Sequence, residues 1–222
     1  MNRKPTLLIF DVNETLLDLE PLKMKVNKAL GNPQAFSLWF KTMLHYSLAE
    51  TIVANFNDFG DIGQATLKMV AEELKSPIPN KKMDDILSTI KELPPHPDVI
   101  EGLETLSGKN FKLAALTNGS LRTVKDQLLF AGISKYFDGI YSVDAVQKYK
   151  PHSEAYEHVL NIMNTDKMDA MLIAAHGWDI LGAQRAGLQT CFLERQGKFI
   201  YPLAEKPTIS VKKLTELGNK LG

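Results

Sequence analysis

The sequence predicts an α/β fold, in which a parallel β-sheet core carries an all-helical insertion after its first strand. From about residue 95 onward, short apolar runs alternate with segments whose apolar residues recur at helical spacing, a pattern typical of βαβ units. Residues 16–94 instead hold four successive helical patterns. We therefore expect a core domain of residues 1–15 and 95–222, and a separate helical subdomain of residues 16–94.

The core strands are predicted from five short apolar runs. The first, TLLIFDV (6–12), stands apart from the others in the chain, which are KLAALTN (112–118), GIYSV (139–143), AMLIAAH (170–176) and TCFLE (190–194). Such runs are typical of strands buried on both faces of a parallel sheet. Between them, helical spacing predicts helices over 121–133, 153–163 and 178–188.

The helical subdomain is predicted from apolar spacing and from the breaks between its segments. GNP, NDFGD and SPIPN contain residues that interrupt helices. The four predicted helices cover 21–30, 34–56, 62–75 and 81–93. The proline-rich ELPPHPD that follows them is stiff enough to mark the boundary with the core.

Composition excludes several classes of function. Lys and Arg together number 26, as do Asp and Glu, so no net charge steers the chain toward nucleic acid or an anionic membrane. A single cysteine, Cys191, excludes a disulfide framework and a multi-cysteine zinc site. The apolar run before Asp11 is too short for a signal peptide, and no run approaches the roughly 20 apolar residues of a membrane span. We therefore expect a cytoplasmic protein that binds neither nucleic acid nor membrane.

Polar side chains follow the predicted strands at the point where each one ends. In chain order they are Asp11, Asn13 and Thr15, then Thr117, Asn118 and Ser120, then Lys150, and finally His176 and Asp179. Ligands of open parallel sheets bind outside the carboxyl ends of the strands. These side chains are therefore predicted to form one site.

These residue types point to covalent catalysis by a carboxylate. A carboxylate such as Asp11 at a strand end can act as a nucleophile and divide one difficult displacement into two easier ones. A nearby lysine keeps it ionised and attracts an anionic substrate. Thr117, Asn118 and the N–H groups of their loop can bind a leaving anion or the charge of the substrate. Asp179 can hold Lys150, orient a water or bind a metal.

Each of these residues also has a purely structural interpretation. An aspartate after a strand, such as Asp11, is often a helix N-cap or turn residue, and Thr-Asn-Gly-Ser at 117–120 makes a good turn. Lys150 can be a solvated charge, and Asp179 can cap a helix that begins at Trp178. The occurrence of such groups at four strand ends favours the catalytic interpretation.

Four segments resemble the motifs of the haloacid dehalogenase superfamily of hydrolases, and within it the type II L-2-haloacid dehalogenases. In chain order they are FDVNETLLD, LTNGS, VQKYKPHSEAY and AAHGWDILGAQRAGL. The resemblance covers nearly the whole chain and includes the position of the helical insertion. It implies a Rossmann-like core with a helical cap that closes over the active site, a small anionic organic substrate and, by analogy with relatives, a homodimer.

The resemblance also implies roles for individual residues. Asp11 is expected to be the nucleophile, Lys150 to pair with it, and Asp179 to position Lys150 and the hydrolytic water. Asp11 would displace halide from the α-carbon of a short (S)-2-haloacid, and water would open the ester at the Asp11 carbonyl to give an inverted 2-hydroxy acid. The other expected catalytic residues are Thr15, Thr117 and Asn118, and the expected substrate contacts are Asn13, Phe40, Gly119, Tyr156, His176 and Trp178.

Asn13 separates this chain from the phosphatases of the same superfamily. Those proteins are similar up to the first aspartate but place a second one two residues later, as general acid and base for the leaving alcohol. Halide needs no proton, so Asn13 favours dehalogenation. The phosphatases also need Mg²⁺, whereas the dehalogenases work without metal. We therefore expect no cofactor, with Asp11 and Asp179 as the ligands if a metal binds.

Three residues depart from the dehalogenase pattern. Phe40 stands where an arginine of the first long cap helix commonly binds halide or carboxylate, and the adjacent Lys41 is turned away by about 100°. His176 either acts on an anion or a water, or is a neutral structural hydrogen-bonding residue. Glu14 adds a negative charge where glycine is usual, which would repel an anionic substrate unless the side chain points away.

Two other functions stay open. One is a phosphatase of the same superfamily, which would use Mg²⁺, a phosphoenzyme on Asp11 and an acid from elsewhere in the chain. The other is a non-catalytic binding protein on the same fold. The combination of Asp11, Lys150 and Asp179 argues against a binding protein, since such a module needs no set of this kind.

Overall fold

A computed structural model describes residues 3–222 as a six-stranded parallel sheet flanked by helices, which confirms the predicted fold class. The strands are β1 (Leu7–Phe10), β2 (Lys112–Thr117), β3 (Gly139–Ser142), β4 (Ala170–Ala174), β5 (Gln189–Leu193) and β6 (Ile209–Val211). Their order across the sheet is β3-β2-β1-β4-β5-β6. This is the Rossmann order, with the first strand in the middle of the sheet.

The register of the sheet places the end of β1 at its centre. Phe10 is aligned with Ala115 of β2 on one side and with Ile173 of β4 on the other. The next residue, Asp11, donates its backbone N–H to the Ile173 carbonyl at 3.0 Å. The side chain of Asp11 therefore emerges between the carboxyl ends of β2 and β4.

The helices comprise four in the predicted subdomain and five in the rest of the chain that the structure describes. The first four are α1 (Glu20–Leu30), α2 (Ala35–Ile52), α3 (Phe59–Glu73) and α4 (Asn80–Ser88). The others are α5 (Val99–Ser107), α6 (Leu121–Phe130), α7 (Ser153–Ile162), α8 (Gly177–Ala186) and α9 (Leu214–Lys220). Helices α1 to α4 pack against one another, and their division from the core as a subdomain stays a prediction.

Several element boundaries differ from those predicted. Helix α3 begins at Phe59, inside the predicted break, because the Asp58 carboxylate accepts the Gly60 N–H at 2.7 Å and caps the helix. Strand β6 and helices α5 and α9 were not predicted individually. The strand has three residues, too few for alternation or a buried run to be recognised.

The apolar core has one part on each face of the sheet. Leu8 and Phe10 of β1 point into one part, and Leu7 and Ile9 point into the other, as expected when successive side chains of a strand alternate between faces. All four side chains are fully buried. Within residues 3–222, no helix combines the length and apolar character needed to cross a membrane.

Candidate active site

A buried lysine joins the two predicted aspartates. The Lys150 ammonium donates to Asp11 Oδ1 at 2.9 Å, to Asp179 Oδ2 at 2.7 Å and to the Leu116 carbonyl at 3.2 Å. These three acceptors use all three of its protons. The Lys150 side chain is 1% exposed, so it is not a solvated charge. Burial acts to lower the pKa of Lys150, but the two carboxylates outweigh that effect and raise it.

The Asp11 carboxylate is held by donors on both of its oxygens. Oδ1 accepts a hydrogen bond from the Lys150 ammonium. Oδ2 accepts a hydrogen bond from the Thr15 hydroxyl at 2.6 Å and lies 3.1 Å from His176 Nδ1. Burial acts to raise the pKa of Asp11, but Lys150, His176 and Thr15 together hold it well below its usual range. Asp11 is therefore a carboxylate at neutral pH. It is not a helix cap, since helix α1 begins at Glu20.

Asp179 lies behind Lys150 and is fully buried. Its Oδ1 accepts the Tyr156 hydroxyl at 2.5 Å, and burial raises the pKa of its carboxyl group. Helix α8 begins at Gly177 with no side-chain cap, so Asp179 does not cap it. Tyr156 was expected to contact substrate. Its side chain is fully buried and holds Asp179 in place.

The loop after β2 positions the backbone of Lys150. The Asn118 side chain accepts the Lys150 N–H at 2.8 Å and donates to the Lys150 carbonyl at 3.4 Å. The Thr117 hydroxyl accepts the Gly119 N–H at 3.1 Å. Ser120 caps helix α6, with its hydroxyl accepting the Thr123 N–H. The segment is therefore both a turn and part of the site.

His176 lies between two acidic residues. Its Nε2 is 2.9 Å from Glu14 Oε2, while Nδ1 faces Asp11. Burial acts to lower the pKa of His176, but the two carboxylates raise it to about 9, so the ring is an imidazolium at neutral pH. Glu14 Oε2 also lies 2.5 Å from the Lys198 ammonium nitrogen. Burial acts to raise the pKa of Glu14, but His176 and Lys198 outweigh that effect and lower it.

Glu14 also has an unusual backbone conformation. Its φ is +62°, in the left-handed region that favours glycine. Glycine, the residue that the resemblance leads us to expect at this position, adopts this conformation without steric cost. Its carboxylate is neutralised by His176 and Lys198, so the expected repulsion of an anionic substrate is offset.

A small cavity reaches the Asp11 carboxylate. Its volume is about 20 Å³, room for about one water molecule. The residues that line it are Asp11, Asn13, Phe40, Leu44, Phe59, Thr117, Asn118, Lys150, His176 and Trp178. Three of them, Asn13, Phe40 and Phe59, also line a cavity of about 360 Å³ between the sheet and helices α1 to α4. Gly119 lines that larger cavity, and Lys41 is exposed.

Three residues that support the site were not singled out from the sequence. Gln127 donates to Asn13 Oδ1 at 2.9 Å. Lys198 pairs with Glu14. Arg195 donates to the Thr15 carbonyl at 3.0 and 3.1 Å and to Asp98 Oδ1 at 2.7 Å. Each lies more than 95 residues along the chain from its partner, so no local pattern could have found it.

The two aspartates do not fit a Mg²⁺ site as they are arranged. Magnesium needs near-octahedral oxygen ligands, but the ammonium of Lys150 bonds to both carboxylates from between them. Nowhere in residues 3–222 are three or more His, Cys, Asp or Glu side chains grouped to hold a metal ion. The expectation that the protein uses no cofactor stays a prediction.

The chain is similar to known proteins over most of its length. A family model described as haloacid dehalogenase-like hydrolase matches residues 8–193. The chain is 26% identical to an (S)-2-haloacid dehalogenase of Pseudomonas sp. (strain YL), over 93% of this chain and 90% of that protein. It is also 26% identical to haloacetate dehalogenase H-2 of Moraxella sp. (strain B), over 94% of each.

A solved structure shares the fold over nearly the full length. L-2-haloacid dehalogenase from Xanthobacter autotrophicus, with chloropropionic acid covalently bound, superimposes with a TM-score of 0.90 over 97% of each chain. The two sequences are 21% identical.

Proposed function

We propose, from the premise that this chain belongs to the haloacid dehalogenase-like hydrolase family, that it hydrolyses the carbon–halogen bond of a short (S)-2-haloacid through an ester on Asp11. The observation that carries the proposal is the ionised Asp11 carboxylate at the wall of a small cavity, with Lys150 bonded to one of its oxygens. The relatives named as (S)-2-haloacid dehalogenases support this choice of substrate.

The first step is displacement at the α-carbon of the substrate. An oxygen of Asp11 attacks that carbon from the side opposite the halogen, and the carbon–halogen bond breaks with its electron pair leaving as halide. The three donors around the carboxylate hold it in a single orientation, which lowers the entropic cost of reaching the attack geometry. The ammonium of Lys150 also supplies positive charge near an anionic substrate.

The second step is hydrolysis of the ester. Water attacks the Asp11 carbonyl carbon, and its proton passes to Asp179 through Lys150, whose ammonium contacts both aspartates. Lys150 takes up the proton of the water and gives one of its own to Asp179, whose pKa is raised by burial. The bond between the Asp11 carbonyl carbon and the ester oxygen then breaks. That oxygen stays on the α-carbon of the product, which takes up a proton and leaves as a 2-hydroxy acid. Asp11 is regenerated, and one proton is released for each halide.

Asn13 is consistent with a leaving group that needs no proton. Its amide oxygen accepts a hydrogen bond from Gln127 at 2.9 Å, which orients the side chain at the cavity wall. A carboxamide cannot protonate a leaving alcohol, and halide leaves without protonation. In this proposal Asn13 and Asn118 contact the substrate or halide.

Substrate entry requires movement of the helical side of the site. The cavity at Asp11 holds about one water, which is less than any 2-haloacid. Phe40 and Phe59 separate it from the cavity of about 360 Å³. Displacement of these rings would join the two volumes, in keeping with a helical cap that opens and closes. A cytoplasmic location and a homodimer also remain predictions.

The test compares halide release from L-2-chloropropionate with phosphate release from an aryl phosphate, each with and without Mg²⁺. We expect halide release that needs no Mg²⁺ and is abolished in Asp11→Asn, while the exposed control Asp85→Asn keeps full activity. In a single turnover in water enriched in heavy oxygen, the label should enter Asp11. Mg²⁺-dependent phosphate release without halide release would instead identify a phosphatase. If the unaltered protein shows neither activity and Asp11→Asn behaves in the same way, the protein is a binding protein.

A further inference from the structure

Both ring nitrogens of His176 face carboxylates. Nδ1 is 3.1 Å from Asp11 Oδ2 and Nε2 is 2.9 Å from Glu14 Oε2. An ionised carboxylate only accepts hydrogen bonds, so each nitrogen must donate and the ring must carry both protons. A doubly protonated ring has no free lone pair on nitrogen, and His176 therefore cannot act as the base that activates water.

Aromatic rings also pack against the His176 ring, and Trp178 is the nearer of the two. Trp178 stacks at a centroid distance of 5.1 Å and Phe40 at 6.4 Å, with interplanar angles of 26° and 22°. The backbone beside it is equally constrained, since a Cβ on Gly177 would lie 2.5 Å from the Phe199 carbonyl oxygen. The imidazolium is therefore a preorganised donor aimed at one oxygen of Asp11.

The two oxygens of Asp11 are not equivalent. Oδ1 receives one donor, Lys150, whereas Oδ2 receives two, Thr15 and His176. The oxygen with fewer donors keeps more of its lone-pair density for attack on carbon. Once Oδ1 has become the ester oxygen, Oδ2 is the carbonyl oxygen and carries the negative charge when water adds to the ester.

We propose that His176 is a catalytic residue for hydrolysis of the ester, in which it and Thr15 donate hydrogen bonds to the oxyanion that forms on Asp11 Oδ2, and that Glu14 is the positioning residue that holds the ring. This inference rests on the proposed function. Water adds to the carbonyl carbon, the carbonyl π electrons move to Oδ2, and the water proton passes to Asp179 through Lys150. The oxyanion then re-forms the carbonyl as the bond to the 2-hydroxy acid breaks.

Glu14 fits this positioning role by charge and by geometry. The charged groups that face His176 directly are Asp11 and Glu14, and behind them lie Lys150 and Lys198, each paired with one of those carboxylates. When the ester forms, Asp11 loses its charge and Glu14 remains as the anion beside the imidazolium. The ring can therefore stay protonated in the intermediate, when its donor is needed.

The experiment separates the two chemical steps by rapid mixing of the full chain with L-2-chloropropionate. Halide released in the first turnover reports ester formation, and the steady-state rate together with the mass of the Asp11 peptide reports ester hydrolysis. The variants are His176→Leu, Glu14→Gln and the double variant. The controls are His45→Leu and Glu101→Gln, both at exposed positions.

In His176→Leu, which has no donor at that place, we expect ester hydrolysis to slow by about 10²-fold, typical of the loss of one oxyanion donor. Halide release in the first turnover should stay within about tenfold of that of the unaltered protein. The ester should then accumulate on Asp11. Glu14→Gln should slow hydrolysis by about tenfold, and the double variant should be no slower than His176→Leu, since Glu14 acts through His176. Both control variants should behave as the unaltered protein.

Several results would overturn the assignment. Slower ester formation with unchanged hydrolysis would place His176 in the first step, and additive effects in the double variant would give Glu14 a separate role. Nitrogen NMR of the unaltered protein at neutral pH gives a second measurement that needs no variant to fold. A neutral His176 ring in that spectrum would contradict the proposal. If the unaltered protein released no halide, the proposed function itself would fail, and this inference with it.

Discussion

The two walls of the small cavity at Asp11 differ in chemical character, since one is charged and the other is apolar. The sheet wall consists of Asp11 and Lys150, backed by Asp179. All three are buried charges, and the Lys150 ammonium lies 2.9 Å from Asp11 and 2.7 Å from Asp179. The helix wall consists of Phe40 and Leu44 of α2 and Phe59 of α3, which are apolar and make no ionic contact. The difference indicates that the two walls have separate roles. The charged groups of the sheet wall can carry out the chemical steps, while the apolar side chains of the helix wall can select and admit the substrate.

The two walls also differ in how firmly they are held. The charges of the sheet wall follow the ends of buried strands, and each one is bonded to at least two other groups. The helix wall borders a cavity of about 360 Å³, into which its side chains can move. Strongly interacting buried charges resist rearrangement, whereas apolar rings beside a void can repack at low cost.

The largest effect is expected from breaking the sheet wall with Lys150→Met. The substitution leaves Asp179 buried without a cation and leaves Asp11 with His176 as its one cationic neighbour. The free energy of unfolding should therefore fall by about 3–5 kcal/mol. Halide release should fall by about 10³-fold or more. Chemical denaturation and a halide assay measure the two effects.

Lys148→Met is the matched control for that variant. Lys148 lies two residues away and pairs with Glu154 near the surface, where ion pairs contribute little. A Lys150→Met protein as stable and active as the Lys148→Met protein would show that the sheet wall is not the catalytic part of the cavity.

A smaller effect on stability is expected when a rise in pH removes one proton from the His176 ring. Its pKa is raised from 6.5 to about 9, so the stability that it contributes is complete below pH 6.5 and is lost as pH rises to about 9. The free energy of unfolding, measured against His176→Asn, should fall by about 3 kcal/mol over that interval. Glu14, whose pKa is lowered, stays ionised throughout. A difference independent of pH in that interval would mean that the ring is not paired with both carboxylates.

The smallest effect is expected from the helix wall, with Phe40→Ala. Removing the ring joins the small cavity to the larger one. The ratio of kcat/KM for 2-bromohexanoate to kcat/KM for L-2-chloropropionate should therefore rise by about five- to tenfold. An increase of that size corresponds to the free energy of burying roughly one or two methylene groups of the substrate. Tyr46→Ala, at an exposed position of the same helix, is the control. An equal loss for both substrates would place Phe40 in the chemistry and remove the contrast between the walls.

The sheet wall could be predicted from the sequence because its residues follow buried strands. Asp11, Lys150 and Asp179 each come after an apolar run or begin the next helix, and the parallel topology brings those points to one edge of the sheet. The fold class followed from the same alternation of runs and helices. Short elements such as β6 carry too little pattern to be recognised.

The partners that hold this wall could not be predicted in the same way. The sequence predicts that Glu14 repels an anionic substrate unless its side chain points away. It gives no local sign of the contacts that Glu14 makes with His176 and Lys198. Tyr156 was expected at the cavity, but helical spacing does not say how deeply a side chain is buried. Such contacts depend on how distant loops fold back onto the strand ends, which one sequence does not specify by pattern.

Arg195 links the loop that carries the nucleophile Asp11 to residues that lie far from it in the sequence. Its guanidinium binds the Thr15 carbonyl and Asp98, and Asp98 Oδ2 in turn accepts the N–H of Leu214, the first residue of helix α9. Helix α9 is therefore connected through two side chains to the loop that carries Asp11. Removal of helix α9 would release Asp98 and Arg195 and so disturb the catalytic loop without changing any residue near the substrate.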